Sequence, residues 1–316
     1  MTGYCDKAKE FYEKALEIQE KSLGPNHVHV SQSLYILGFM CYETGNYDKA
    51  IEFYEKDLEI RKRSLGPNHV DVSQSLNNLG LVYNKIGNYD KAIDFYEKAL
   101  KIRKKSLGSK HVDVAQTLNN IGLVYYETGN YKKAIEVHEK AMEIHEQLLD
   151  PNHIEVAWSL NNLGNVLEKT GYYDKAKEVL QKALEIREQS LGPNHVDVSQ
   201  SLNNLGLVYY KIGNYDKSIE FYEKALKIRK ESLGSKHVDV AQTLNNLGLV
   251  YYETGNYDKA VEFYKKALEI QKRSLGFNHV YVAASLYNLG VVFEKTGNYD
   301  KAKEVHEKAL EIRKNR

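Results

Sequence analysis

The chain has 316 residues, and 44 Lys and Arg against 43 Asp and Glu leave a net charge of +1. A balance this close gives no global field to draw in nucleic acid or an anionic membrane surface. Two cysteines, Cys5 and Cys41, are too few for a disulfide framework and read as reduced thiols, and no apolar run reaches the length of a bilayer span.

In chain order, residues 1–22 read as a lone helix, because Gly3-Tyr4-Cys5-Asp6-Lys7-Ala8 matches Gly45-Asn46-Tyr47-Asp48-Lys49-Ala50 further on. Met1 to Lys9 has no apolar leader, and no Asn-x-Ser/Thr acceptor occurs, so the expected compartment is the cytoplasm. Seven full copies of one unit follow: 23–64, 65–106, 107–148, 149–190, 191–232, 233–274 and 275–316. Their loop histidines, His27, His69, His111, His153, His195, His237 and His279, recur every 42 residues. A fixed period in this range signals a solenoid, in which each unit buries its apolar face only against its neighbours. The expectation is one continuous array over residues 1–316.

The second copy shows the pattern. From Val70 to Ile86, Val72, Leu76, Leu79 and Tyr83 recur at spacings of three and four, one stripe of a helix. Gly87-Asn88 supplies a turn and a cap. From Tyr89 to Ser106 a second helix carries Ala92, Ile93, Tyr96, Ala99, Leu100 and Ile102 on one side. Its other side is charged, with Lys91 spaced to pair with Asp94 and Glu97 with Lys101. Gly108 sits where a helix terminus favours a left-handed residue. Gly80, Ala92 and Ala99 are small where two antiparallel helices must cross closely, with Tyr83 and Tyr96 filling the space beside them. No period-two alternation marks a strand.

The spacing Leu76…Leu79-Gly80…Tyr83…Gly87…Tyr89…Ala92…Tyr96…Ala99 resembles the tetratricopeptide repeat. The 42-residue length, with Leu-Gly-Pro-Asn-His before the first helix and Leu-Asn-Asn-Leu within it, is similar to the kinesin light chain subtype. The resemblance runs from about Gly3 to Arg316. It implies an all-α fold, a right-handed superhelical α-solenoid of antiparallel helix pairs. It also implies a protein–protein interaction scaffold, with a peptide or partner segment held in a concave groove lined by the first helices.

Helical phase places Gln74, Asn77, Leu81, Asn84 and Lys85 opposite the core stripe, with Asn78 bordering them. The pairs Asn77-Asn78, Asn119-Asn120, Asn161-Asn162, Asn203-Asn204 and Asn245-Asn246 then form a carboxamide ladder. Carboxamides donate and accept, so a ladder can grip an extended peptide backbone, or equally bond neighbouring copies together. Gln116, Tyr126, Tyr210 and Lys211 share this face. The fourth copy differs from the rest: Trp158 replaces a glutamine, Asn165 a leucine, and Glu168 a Tyr or Asn beside Lys169. A lone tryptophan in a polar groove has the character of a binding hot spot. The last groove position alternates in sign through Glu43, Lys85, Glu127, Lys169, Lys211, Glu253 and Lys295, which points to a mixed or hydrophobic peptide.

No catalytic constellation, metal site or cofactor motif is expected. Helices pack roughly 8–10 Å apart and each copy contributes two, so successive loop histidines cannot share an ion held by bonds of about 2 Å. They are expected to cap or buttress the first helices instead. The array carries no polar closing helix at either end, which keeps a second reading open: a structural spacer or self-assembling rod with end-to-end self-association.

Overall fold

The computed structural model describes residues 2–314, with side chains from Glu10 onward. Cys5 therefore lies outside the described side chains, while Cys41 is buried. Every described element is an α-helix.

The helices group into two compact units, Met1–Pro151 and Asn152–Arg316. The first holds α1 (Thr2–Leu23), α2 (Val28–Glu43), α3 (Tyr47–Leu65), α4 (Val70–Lys85), α5 (Tyr89–Leu107), α6 (Val112–Glu127) and α7 (Tyr131–Leu148). The second holds α8 (Ile154–Lys169), α9 (Tyr173–Leu191), α10 (Val196–Lys211), α11 (Tyr215–Leu233), α12 (Val238–Glu253), α13 (Tyr257–Leu275), α14 (Val280–Lys295) and α15 (Tyr299–Lys314). In both units each even-numbered helix pairs with the one after it, and each pair packs on the next.

Local chemistry sets the helix ends. The His69 side chain is the N-cap of α4, its Nδ1 accepting the Asp71 N–H at 3.2 Å, and the other loop histidines repeat the bond. An orphan donor of the first turn is thereby satisfied, as the helix terminus requires. Asn88 caps α5 in the same way, accepting from the Lys91 N–H at 3.3 Å. Between the two helices Gly87 sits at φ +77°, a backbone that L side chains rarely adopt, and the chain reverses there. The first helix ends at Lys85, so Ile86 acts as its C-cap rather than its last residue.

Each helix pair is locked by a glycine facing a side chain of the partner helix, a ring in every pair but the one closed by Leu180. A Cβ added to Gly80 would stand 2.6 Å from Tyr96 Cε1, so the ring occupies the space a side chain would need. Val72, Leu76, Leu79, Tyr83, Ala92, Tyr96 and Ala99 are all buried and form one cluster with their counterparts in the neighbouring copy. The third and seventh copies place His138 against Gly122 and His306 against Gly290 where four others carry tyrosine, and the fourth places Leu180 against Gly164. On the solvent face Asp94 pairs with Lys98 at 2.6 Å; Lys91 lies instead over the Tyr83 ring, 4.7 Å from its centroid. Such exposed pairs contribute only about 0.3–0.5 kcal/mol each.

Candidate functional site

Successive first helices touch directly, α4 with α6 in one unit and α8, α10, α12 and α14 in turn in the other. Second helices make no comparable contact with one another. The first helices thus lie on the tighter, inner side of each unit. Which of their side chains stay available there depends on the hydrogen bonds between copies.

The first asparagine of each pair is consumed in those bonds. Asn77, Asn119, Asn161 and Asn203 are buried, each no more than 8% exposed. Asn120 Nδ2 donates to Asn77 Oδ1 at 3.1 Å, Asn204 to Asn161 at 3.2 Å, and Asn246 to Asn203 at 3.2 Å. Asn245 Oδ1 likewise accepts from Ser285 Oγ of the next copy at 3.0 Å, whereas Asn119 Oδ1 meets His138 Nδ1 of its own hairpin at 2.9 Å. The ladder is therefore a seam between copies along its buried rail. Asn78, Asn120, Asn162, Asn204 and Asn246 form the outer rail and stay half-buried.

The open part of the surface is the row Gln74, Gln116 and Gln242, with Lys85, Lys169 and Lys211 toward the helix C-termini, all exposed. Trp158 is 46% exposed, and Asn165 is half-buried. Glu168 is buried, with one carboxylate oxygen 3.9 Å from Lys169 Nζ. Tyr126 stands beside Tyr131, ring centroids 5.9 Å apart. The Tyr210 hydroxyl donates to Glu253 Oε1 at 3.4 Å. Burial, then the Glu253 charge, pushes its pKa up to about 12, so it remains a donor at any ordinary pH.

Four buried arginines underlie this surface, and the sequence reading assigned them no role. Nη1 of Arg61, Arg103, Arg187 and Arg229 donates to the backbone carbonyl of Asp71, Asp113, Asp197 and Asp239 in the next first helix, at 2.8–2.9 Å. Three of them also hold the inner-face glutamine: Arg61 with Gln74 at 3.2 Å, Arg103 with Gln116 at 3.4 Å and Arg229 with Gln242 at 3.2 Å. Burial works against the charge of Arg103, Arg187 and Arg229, and the Asp113, Asp197 and Asp239 charges work for it. The signal in the sequence was an arginine returning with the copy period, always one residue after a stripe isoleucine.

One arginine is incompletely served. Nε of Arg103 donates to Ser73 Oγ at 3.2 Å and Nε of Arg229 to Ser199 Oγ at 3.3 Å, but Arg187 faces Ala157 and its buried Nε has no partner. Ala157→Ser should supply the missing acceptor and raise stability by about 1 kcal/mol, read as a higher urea midpoint with unchanged slope. The same change at Ala241, whose copy carries Gln271 instead of arginine, should give no gain.

Among the described residues no three His, Cys, Asp or Glu side chains lie together as metal ligands, and no helix is long and apolar enough to cross a membrane.

No curated protein matches the sequence. The structure is similar to that of BtubC (BKLC) from P. vanneervenii, at a TM-score of 0.59 and 20% identity over 73% of this chain and 91% of that one. The apo form of RapI gives a TM-score of 0.71 at 20% identity, covering 90% and 97%. A kinesin light chain-like protein of Podosopora anserina, with nearly identical TPR-like repeats, gives 0.55 at 23% identity, covering 64% and 96%. The tetratricopeptide repeat profile itself matches residues 2–63, 29–105, 113–189, 160–231, 197–273 and 239–315. With capped helix pairs, a glycine locked against a partner side chain in each and this match along nearly the whole length, the chain belongs to the tetratricopeptide repeat family.

Proposed function

We propose that the protein is an interaction scaffold that holds a peptide or partner segment on the inner face of its first helices. Members of the family are generally protein–protein interaction scaffolds and typically non-catalytic, and this reading assigns the chain no reaction. The observation that carries it is the division of labour within each asparagine pair. The buried member closes the seam, while the half-buried member still has a carboxamide oxygen and an N–H in hand. Together with the exposed glutamine row, this leaves evenly spaced donors and acceptors for an extended backbone. Trp158 adds a large apolar surface to an otherwise polar face, the kind of anchor that concentrates binding energy. The mixed signs of Lys85, Glu127, Lys169, Lys211 and Glu253 favour a guest of mixed rather than uniform charge. The near-neutral chain and its reduced-thiol composition fit the cytoplasm.

Selection from a random peptide library displayed on phage tests the proposal. Binders should emerge whose affinity falls at least tenfold with Trp158→Ala. No binders, or binders indifferent to every inner-face substitution, would overturn it. A mass that grows with concentration in sedimentation, without peptide capture, would favour the spacer or self-assembling rod.

A further inference from the structure

The chain itself shows what fits between two neighbouring first helices, and two copies depart from it: His145 stands at the arginine position of the third copy and the shorter Gln271 at that of the sixth. Between α2 and α4 the niche holds Arg61, bonded to the Asp71 carbonyl and Gln74; Arg103 and Arg229 make the same bonds one and four copies on. Between α12 and α14 the chain carries Gln271 in place of the arginine and Ala284 in place of the glutamine. Gln271 is too short to reach across. Its Oε1 accepts from Ser285 Oγ at 2.7 Å, and the Tyr281 carbonyl, which stands where Asp71, Asp113 and Asp239 receive an arginine, has no side-chain donor.

The result is a cavity of about 420 Å³, against about 350 Å³ for the equivalent niche that retains Arg61. The larger cavity runs deeper, to Asn245, Asn246 and Asn288, with Gln242 and Gln271 as further carboxamides on its wall. Asp239 is the one charged side chain of that wall, which Tyr281 also lines, 55% exposed and with its ring 5.0 Å from that of His279. Arg229 lies buried behind Gln242, its Nη1 turned to the Asp239 carbonyl, Gln242 and Thr243, and His237 stands 3.6 Å from the Asp239 carboxylate.

We infer that this niche takes the side chain of an arginine presented by the peptide partner, a guest that supplies from outside the guanidinium the chain omits here. The inference rests on the inner-face binding proposed above and names one anchor for it. A guanidinium brings five donors in a plane, which match the Tyr281 carbonyl and the carboxamide oxygens and can stack on the Tyr281 ring. An aliphatic anchor would leave those amides unpaired, a carboxylate would face Asp239, and an ammonium offers fewer donors with no plane to stack.

The test uses labelled Gly/Ala-rich host peptides carrying a single central Arg, Lys, citrulline or Glu, titrated against the full chain by fluorescence anisotropy. The Arg peptide should bind at least tenfold more tightly than its neutral isostere with citrulline. Gln271→Arg with Ala284→Gln restores the arrangement of the other copies, so it should keep or raise the melting temperature while abolishing that preference. Equal binding of the Arg and citrulline peptides, binding of the Arg peptide undiminished in the double variant, or no binding by any host peptide would each overturn the inference. Library binders that lack arginine yet depend on Trp158 would leave the broader scaffold reading standing.

Discussion

Arg61→Leu is expected to destabilise the first unit by about 3–5 kcal/mol, whereas Asp57→Ala, which removes its ion-pair partner, should be neutral or stabilising. Asp57 is fully buried on α3, with Oδ1 2.7 Å from Arg61 Nε and Oδ2 accepting from Ser75 Oγ at 2.6 Å. Other copies place alanine at this position, as at Ala99, and let a serine take the arginine Nε. Without Arg61 the carboxylate is left desolvated and uncompensated, and the Asp71 carbonyl and Gln74 lose their donor. Without Asp57, the arginine falls back on Ser31, which stands where Ser73 serves Arg103. Burial raises the Asp57 pKa above its ordinary value, with the Arg61 charge and the Ser75 hydrogen bond opposing. A carboxyl that holds its proton more tightly when folded costs stability above its unfolded pKa, and the cost fades as pH falls through that range. The gain from Asp57→Ala should therefore be largest near neutrality. Urea unfolding followed by circular dichroism checks the ordering: Arg61→Leu should lose less when made in Asp57→Ala than when made in the parent. Equal losses would show that the pair is not coupled.

Acidification from pH 7 to pH 4 should cost the first unit about 3 kcal/mol through His138 alone. This imidazole is fully buried against Gly122, and burial lowers its pKa from 6.5 to about 4. Nδ1 donates to Asn119 Oδ1 at 2.9 Å, while the buried Nε2 has no partner, so a second proton would have nowhere to bond. The unfolded chain takes up that proton near pH 6.5 and the folded chain resists until about pH 4. The contribution is intact above the first value, falls between the two, and is gone below the second. His138→Tyr, which copies Tyr54, Tyr96, Tyr222 and Tyr264, should remove this step. The readout is the difference in pH slope between parent and variant melting temperatures; identical slopes would refute the assignment.

Much of the architecture could be read from the residues because the information was local and repeated. The helix pairs, the Gly87 reversal, the Asn88 cap, the histidine cap and the Gly80–Tyr96 lock each depend on a few neighbouring positions, written many times. The inner face was read less well, for a physical reason. Helical phase compares one helix with the partner in its own hairpin, yet Asn77 is covered by the first helix of the following copy, whose Asn120 bonds to it. Arg103 escaped notice for the same cause: its acceptors, the Asp113 carbonyl, Gln116 and Thr117, belong to the next copy. Trp158 was visible because it breaks a pattern. The Gln271 and Ala284 niche was visible in principle by the same rule, but only to a reading that tracked two positions in different helices together.

The bonds from Asn204 to Asn161 and from Asn246 to Asn203 are one bond made twice, with the same atoms and nearly the same length. A joint that is identical on successive floors lets a floor be added or removed without recutting its neighbours. Copies two and five are almost the same in sequence, and copies three and six share Leu-Gly-Ser-Lys-His, the pattern that duplication of a block three copies long would leave. Length is then what such a joint leaves free to vary, and reach along a partner is the property that would vary with it.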